Sequence, residues 1–122
     1  MGYDAPNFQV RHETLVGNAG GAATTEYAKF RSFQKTKIKA VHAIVTVAGT
    51  STAHGLDVYH GTTSIGTIVV GTAAVGTGVH SATLNEIMQS YDQASVKSLA
   101  DVVGKADIIV EHNLCEDGTN TP

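Results

Sequence analysis

The chain has 122 residues, of which 42% are hydrophobic and only 16% charged, with 13 glycines, one cysteine and no tryptophan. This length fits one domain and is large enough to bury a core without a metal or disulfide staple, and a lone Cys115 excludes an intrachain disulfide. The net charge of −3, from 8 basic and 11 acidic residues, argues against a dedicated nucleic-acid binder, which carries a basic patch or stripe.

The first predicted element is a half-buried strand from Asn7 to Val16, with Phe8, Val10 and Val16 on one parity and Gln9, Arg11 and Glu13 on the other. Gly17–Ala22 reads as the loop that ends it. Residues 26–35 fit a short helix through Tyr27, Phe30 and Gln34, or a strand through Ala28, Phe30 and Ser32; a strand or irregular segment is preferred. The strongest element is Ile38–Ala48, apolar on both parities, as in a central strand covered on both faces. Leu56–His60 and Ser64–Val70 form a hairpin about Gly61-Thr62-Thr63. A Gly-rich loop at 71–78 precedes a short strand at His80–Leu84. Asn85–Ala94 spaces Ile87, Met88 and Tyr91 for one or two helical turns, with Asn85 as cap. Strands at Val96–Val103 and Ala106–Leu114 flank a turn at Gly104-Lys105, and 116–122 reads as a frayed tail.

About eight short strands separated by Gly/Thr turns predict an all-β, jelly-roll-like antiparallel β-sandwich over residues 1–122. Residues 1–25 are expected to serve as an N-terminal docking arm. Met1–Pro6 lacks a basic region and apolar core, which points away from export by a signal peptide. No apolar run approaches 18 residues, the length that would indicate a membrane helix.

Catalytic motifs are sparse. The six histidines (His12, His42, His54, His60, His80 and His112) include no HExxH, and zinc would need three or four to converge. His54 and His60 are the pair that a small cupin-like metal enzyme would use. There is no G-x-S-x-G, and neither Gly-rich loop ends in Gly-Lys-Ser/Thr. The expectation is therefore a protein that is not an enzyme and needs no cofactor. Lys29, Arg31, Lys35, Lys37 and Lys39 hold five of the eight basic residues, with Phe30 and Phe33 among them. This run suits a solvated sheet edge, phosphate contacts or, best, docking on an acidic partner. The candidate interface is Phe8, Arg11, Tyr27, Lys29, Phe30, Arg31, Phe33 and Lys35.

The stretches Ala40–Thr50, Gly55–Thr67 and Val102–Val110 resemble small β-sandwich cement or decoration proteins of tailed bacteriophage virions. That resemblance implies attachment to the major capsid protein, a trimer or dimer, no cofactor, and a place on the capsid surface after assembly in the host cytoplasm. Two other functions use the same scaffold: a carbohydrate-binding or host-recognition module, which would display exposed aromatics such as Tyr27, Tyr59 and Tyr91, and the cupin-like enzyme.

Overall fold

The computed structural model describes residues 11–20, 27–99 and 103–114, with backbone alone for Arg11, His12, Glu13, Leu15, Asn18, Gly20 and Tyr27. Phe8, the tail at 116–122 and Cys115 lie outside the described residues. Nine strands are present among those described: β1 (Arg11–Gly20), β2 (Tyr27–Phe30), β3 (Thr36–Val47), β4 (Gly55–His60), β5 (Thr63–Val69), β6 (Gly78–His80), β7 (Glu86–Met88), β8 (Ala94–Leu99) and β9 (Lys105–Leu114). They form two antiparallel sheets, one ordered β1-β9-β3-β6 with β7 also on β3, the other β2-β8-β4-β5. The chain crosses repeatedly between sheets, and with β7 set aside the order is that of a jelly roll.

Alternation fills the space between the sheets. Leu56 and Val58 of β4, Ile68 of β5, Val96 of β8, and Ile108 and Val110 of β9 are all buried. Strand β3 explains why both its parities look apolar. Thr36 and Ile38 face the core, then a bulge between Ile38 and Ala40 shifts the register, and Val41, Ala43 and Val45 face inward instead. An extra residue reverses the side-chain phase. The other face of β3 is not covered as the sequence suggests: Ile44 and Val47 are each 39% exposed.

Four boundaries differ from the sequence reading, one being β8, expected at Val96–Val103 and observed at Ala94–Leu99. Gly17 does not end β1. It takes φ +111° and the register shifts between Leu15 and Gly17, so the strand continues past a bulge to Gly20. Nine residues of the stretch expected to be a docking arm therefore pair with β9, Val16 being the bulge. The strand expected at His80–Leu84 stops at His80, because the Ser81 hydroxyl accepts the Val41 amide proton (3.1 Å) in place of a backbone carbonyl. The helical turns expected at 85–94 are replaced by β7 and a tight turn. Asn85 has φ +50°, unlike a helix cap, and Met88 is buried while Tyr91 points outward, so the two do not share a face. The β4–β5 hairpin is as expected, closing at Gly61 with φ +63°.

Candidate functional site at one end of the sandwich

The end of the sandwich formed by the close of β4, the start of β8, β7 and the 31–35 link gathers polar and aromatic side chains. His60 is the last residue of β4, and each of its ring nitrogens meets a carboxylate. Nδ1 lies 2.6 Å from Glu86 Oε2 on β7, and Nε2 lies 2.9 Å from Asp92 Oδ2 in the turn before β8. The first contact joins the two sheets. Glu86, followed by burial acting in the opposite sense and then by Asp92, raises the His60 pKa above its ordinary 6.5. The hydrogen bond from His60 is the largest cause that holds Asp92 below 3.8, against a smaller opposing effect of burial; the Gln89 amide and Arg31 add to it.

The 89–93 turn is built on that carboxylate. The Gln89 amide donates to Asp92 Oδ2 (3.0 Å) and the Asp92 amide donates to the Gln89 carbonyl (3.0 Å). Tyr91 sits between them with φ +69°, and its side chain is 68% exposed. A left-handed backbone costs a non-glycine residue roughly 1–2 kcal/mol, so surrounding contacts must hold it. The Tyr91 amide donates to the Ser32 carbonyl (2.8 Å), and the Arg31 guanidinium donates to the Tyr91 carbonyl and to Gln93 Oε1 (2.9 Å). The Gly61 amide closes on the Gln93 carbonyl (2.7 Å). The outcome is an exposed ring on a braced turn, in which Arg31 holds both the Tyr91 carbonyl and the Gln93 side chain.

The interface residues expected from the sequence separate here. Arg31 enters this end of the molecule, and Phe33 in the same link is 72% exposed. Lys29 is exposed on β2 and Lys35 is half-buried. Phe30 is a correction to the sequence reading: it is 8% exposed and packs in the core against His112, ring centroids 4.9 Å apart. Arg11 stands opposite Asn113, and Tyr27 opposite Lys97. The sequence reading missed the grouping of His60, Glu86, Asp92 and Gln93. Its only sequence signal was the polar run Gln89 to Gln93, absorbed there into a helix.

Two other polar groupings lie on the sheet faces. On the four-stranded sheet, Asp57 accepts hydrogen bonds from the Ser64 (2.7 Å) and Thr67 (3.3 Å) hydroxyls, and its hydrogen bond with the Tyr59 phenol raises the phenol's pKa. Lys97 Nζ lies 4.8 Å from the Tyr59 ring centroid, so one face of that ring already has a cation. On the five-stranded sheet, His42 Nε2 meets Glu111 Oε1 at 2.8 Å, with His80 across the ladder. The cupin-like pair does not assemble. His54 precedes Gly55 and His60 ends β4, so the six residues of that strand separate them by about 20 Å at ~3.3 Å per residue. His54 is instead buried against Gly104 and Gly49 at the opposite end.

The sequence matches no protein-family model and no curated protein. Its fold does match solved structures. One is a carbohydrate-binding module, CBM36 in complex with calcium and xylotriose, at TM-score 0.53 and 9% identity, over 83% of this chain and 87% of that one. Another is CsCBM6-3 from Clostridium stercorarium in complex with cellobiose, at TM-score 0.52 and 16% identity, over 88% of each. A third is the catalytic unit of a thermostable GH87 α-1,3-glucanase from Streptomyces thermodiastaticus strain HF3-3, at TM-score 0.54 and 12% identity, where 92% of this chain matches 27% of that one. Among the described residues no three His, Cys, Asp or Glu side chains converge to hold a metal. The chain is thus a β-sandwich of the architecture that these carbohydrate-binding modules share.

Proposed function

We propose that this chain is a non-catalytic glycan-binding β-sandwich module, and that the end bearing Tyr91 is its binding surface. The observation that carries this reading is Tyr91 itself, an exposed aromatic ring in a left-handed turn braced by Arg31 and Asp92. A ring carried on an already ordered backbone offers an apolar face to the C–H face of a pyranose at a reduced ordering cost. The planar Gln93 amide and Arg31 guanidinium at the same end of the molecule can pair with vicinal hydroxyls. The solved modules of similar fold were described with xylotriose and cellobiose, and their architecture supports the same class of ligand here.

The test is a panel of neutral oligosaccharides including those two, titrated into the protein while backbone amide shifts are followed. Shifts grouped at residues 31–33, 60–62 and 89–93, and lost in Tyr91→Ala with the rest of the spectrum unchanged, are expected. Perturbations elsewhere, or equal binding by Tyr91→Ala, would move the site or remove it.

A second reading is attachment to the major capsid protein of a tailed bacteriophage as a decoration protein. The feature that favours it is the outer face of β3, where Ile44 and Val47 stay partly exposed. Co-sedimentation with undecorated capsids at fixed stoichiometry would support it, and its absence would leave the glycan reading alone.

A further inference from the structure

We propose that His60 is a pH-operated clamp on the Tyr91 turn: as an imidazolium it ties β4 to β7 and to Asp92, and as a neutral ring it lets one of those carboxylates go. This rests on the reading of the Tyr91 end as the binding surface and adds its regulation.

The argument is one of donors and acceptors. A carboxylate only accepts, and a neutral imidazole has a single N–H. Here both ring nitrogens lie within hydrogen-bond distance of carboxylate oxygens, at 2.6 and 2.9 Å. Only the doubly protonated ring satisfies both. Loss of a proton sets a lone pair against a carboxylate, and that contact turns from attraction to repulsion.

The charged groups around the ring come from three elements: Glu86 from β7, Asp92 from the 89–93 turn, and Arg31 from the 31–35 link, whose charge acts on Asp92. Asp57, on the same strand, is turned to the other face with Ser64 and Thr67. With the ring neutral, Arg31 still acts on Asp92, while Glu86 loses its contact with a charged ring. Glu86 is anchored in a strand, whereas the Asp92 carboxylate is otherwise held by the Gln89 amide of its own turn. The Asp92 carboxylate is therefore the group that yields, and it adjoins Tyr91 in the turn.

The same contacts fix where the switch operates. Both carboxylates favour the charged ring, so its proton is held above the ordinary value of 6.5. The clamp is closed in mildly acidic solution and opens as pH rises through the His60 value.

The experiment is an NMR titration of the full chain between about pH 5 and pH 9, a span that brackets the ordinary histidine range. It follows the His60 ring and the Tyr91 and Asp92 amides. One shared midpoint above 6.5 is expected. His60→Gln should flatten the Tyr91 response, and Glu86→Gln should lower the midpoint while the turn still reports it. Tyr91 and Asp92 amides that stay flat while His60 titrates would overturn the clamp, as would a His60 midpoint at or below 6.5. Cellobiose and xylotriose affinities measured across the same range should fall as pH rises through the shared midpoint. A shared midpoint with no binding of any sugar at any pH would support the clamp and remove the glycan reading, so the two fail separately.

Discussion

Replacing His60 with glutamine tests the clamp through stability alone. The wild-type ring makes two charge-assisted contacts, and the three side chains are 26%, 31% and 35% exposed for His60, Glu86 and Asp92. Ion pairs this close to solvent contribute about 0.5–1 kcal/mol each, so the pair is worth about 1–2 kcal/mol. In a domain of this size that corresponds to a melting-temperature loss of about 4–8 °C. The sign follows from linkage. The pKa of His60 is raised in the folded state, so its contribution is complete below 6.5 and disappears as pH rises through the folded value. Asp92 is lowered, so its contribution is present above 3.8 and is lost as pH falls through its depressed value. The difference between wild type and His60→Gln should thus be greatest at about pH 5–6.5 and small near about pH 9. Circular-dichroism melts at both pH values give the answer. An equal loss at both, or a larger one at alkaline pH, would show that His60 acts by packing and not as a charged tie.

The rest of the fold gives sharper structural expectations. Leu56→Ala, at a wholly buried position in β4, should cost about 2–5 kcal/mol in chemical denaturation by leaving a cavity. Gly104→Ala would drive a methyl into the His54 ring, with Nδ1 at 2.8 Å and the Gly49 Cα at 3.0 Å. With backbone on the far side the collision cannot relax cheaply, and a loss of about 1–3 kcal/mol is expected. Removing residues 11–20 takes away an edge strand and buried Ala19. Such a truncation should lose the cooperative melting transition, whereas a folded product would mean that this segment is dispensable.

The sandwich was legible in the sequence because alternating strands punctuated by glycine carry a two-residue period. Leu56–His60 and Ala106–Leu114 kept that period without interruption and Ser64–Val70 kept it apart from a bulge at Ile65, and each matches an observed strand to within a residue or two. The misreadings fall where one residue changes the phase or leaves the ladder. Gly17 bulges where a glycine signals a break, Ser81 substitutes its hydroxyl for a backbone group, and Asn85 and Tyr91 adopt left-handed backbones that hydrophobic spacing cannot reveal. Half of the site was visible as Arg31 and Phe33 in a basic, aromatic run. Its other half was hidden because His60, Glu86 and Asp92 are 26 and 32 residues apart in the chain and meet only when the sheets close. Phe30 shows the converse: in the same run as Arg31, its strand phase turns it into the core.

The central claim is that an exposed ring on a braced turn binds glycans at this end of the sandwich. Its most direct test is the map of amide shifts on titration with xylotriose, cellobiose and a wider oligosaccharide panel, for wild type and Tyr91→Ala at about pH 6, where the His60 clamp is closed. Saturable shifts centred on Arg31, His60 and Tyr91 to Gln93, absent in the variant, are predicted. No saturable shift with any sugar, or shifts that Tyr91→Ala leaves intact, would contradict it.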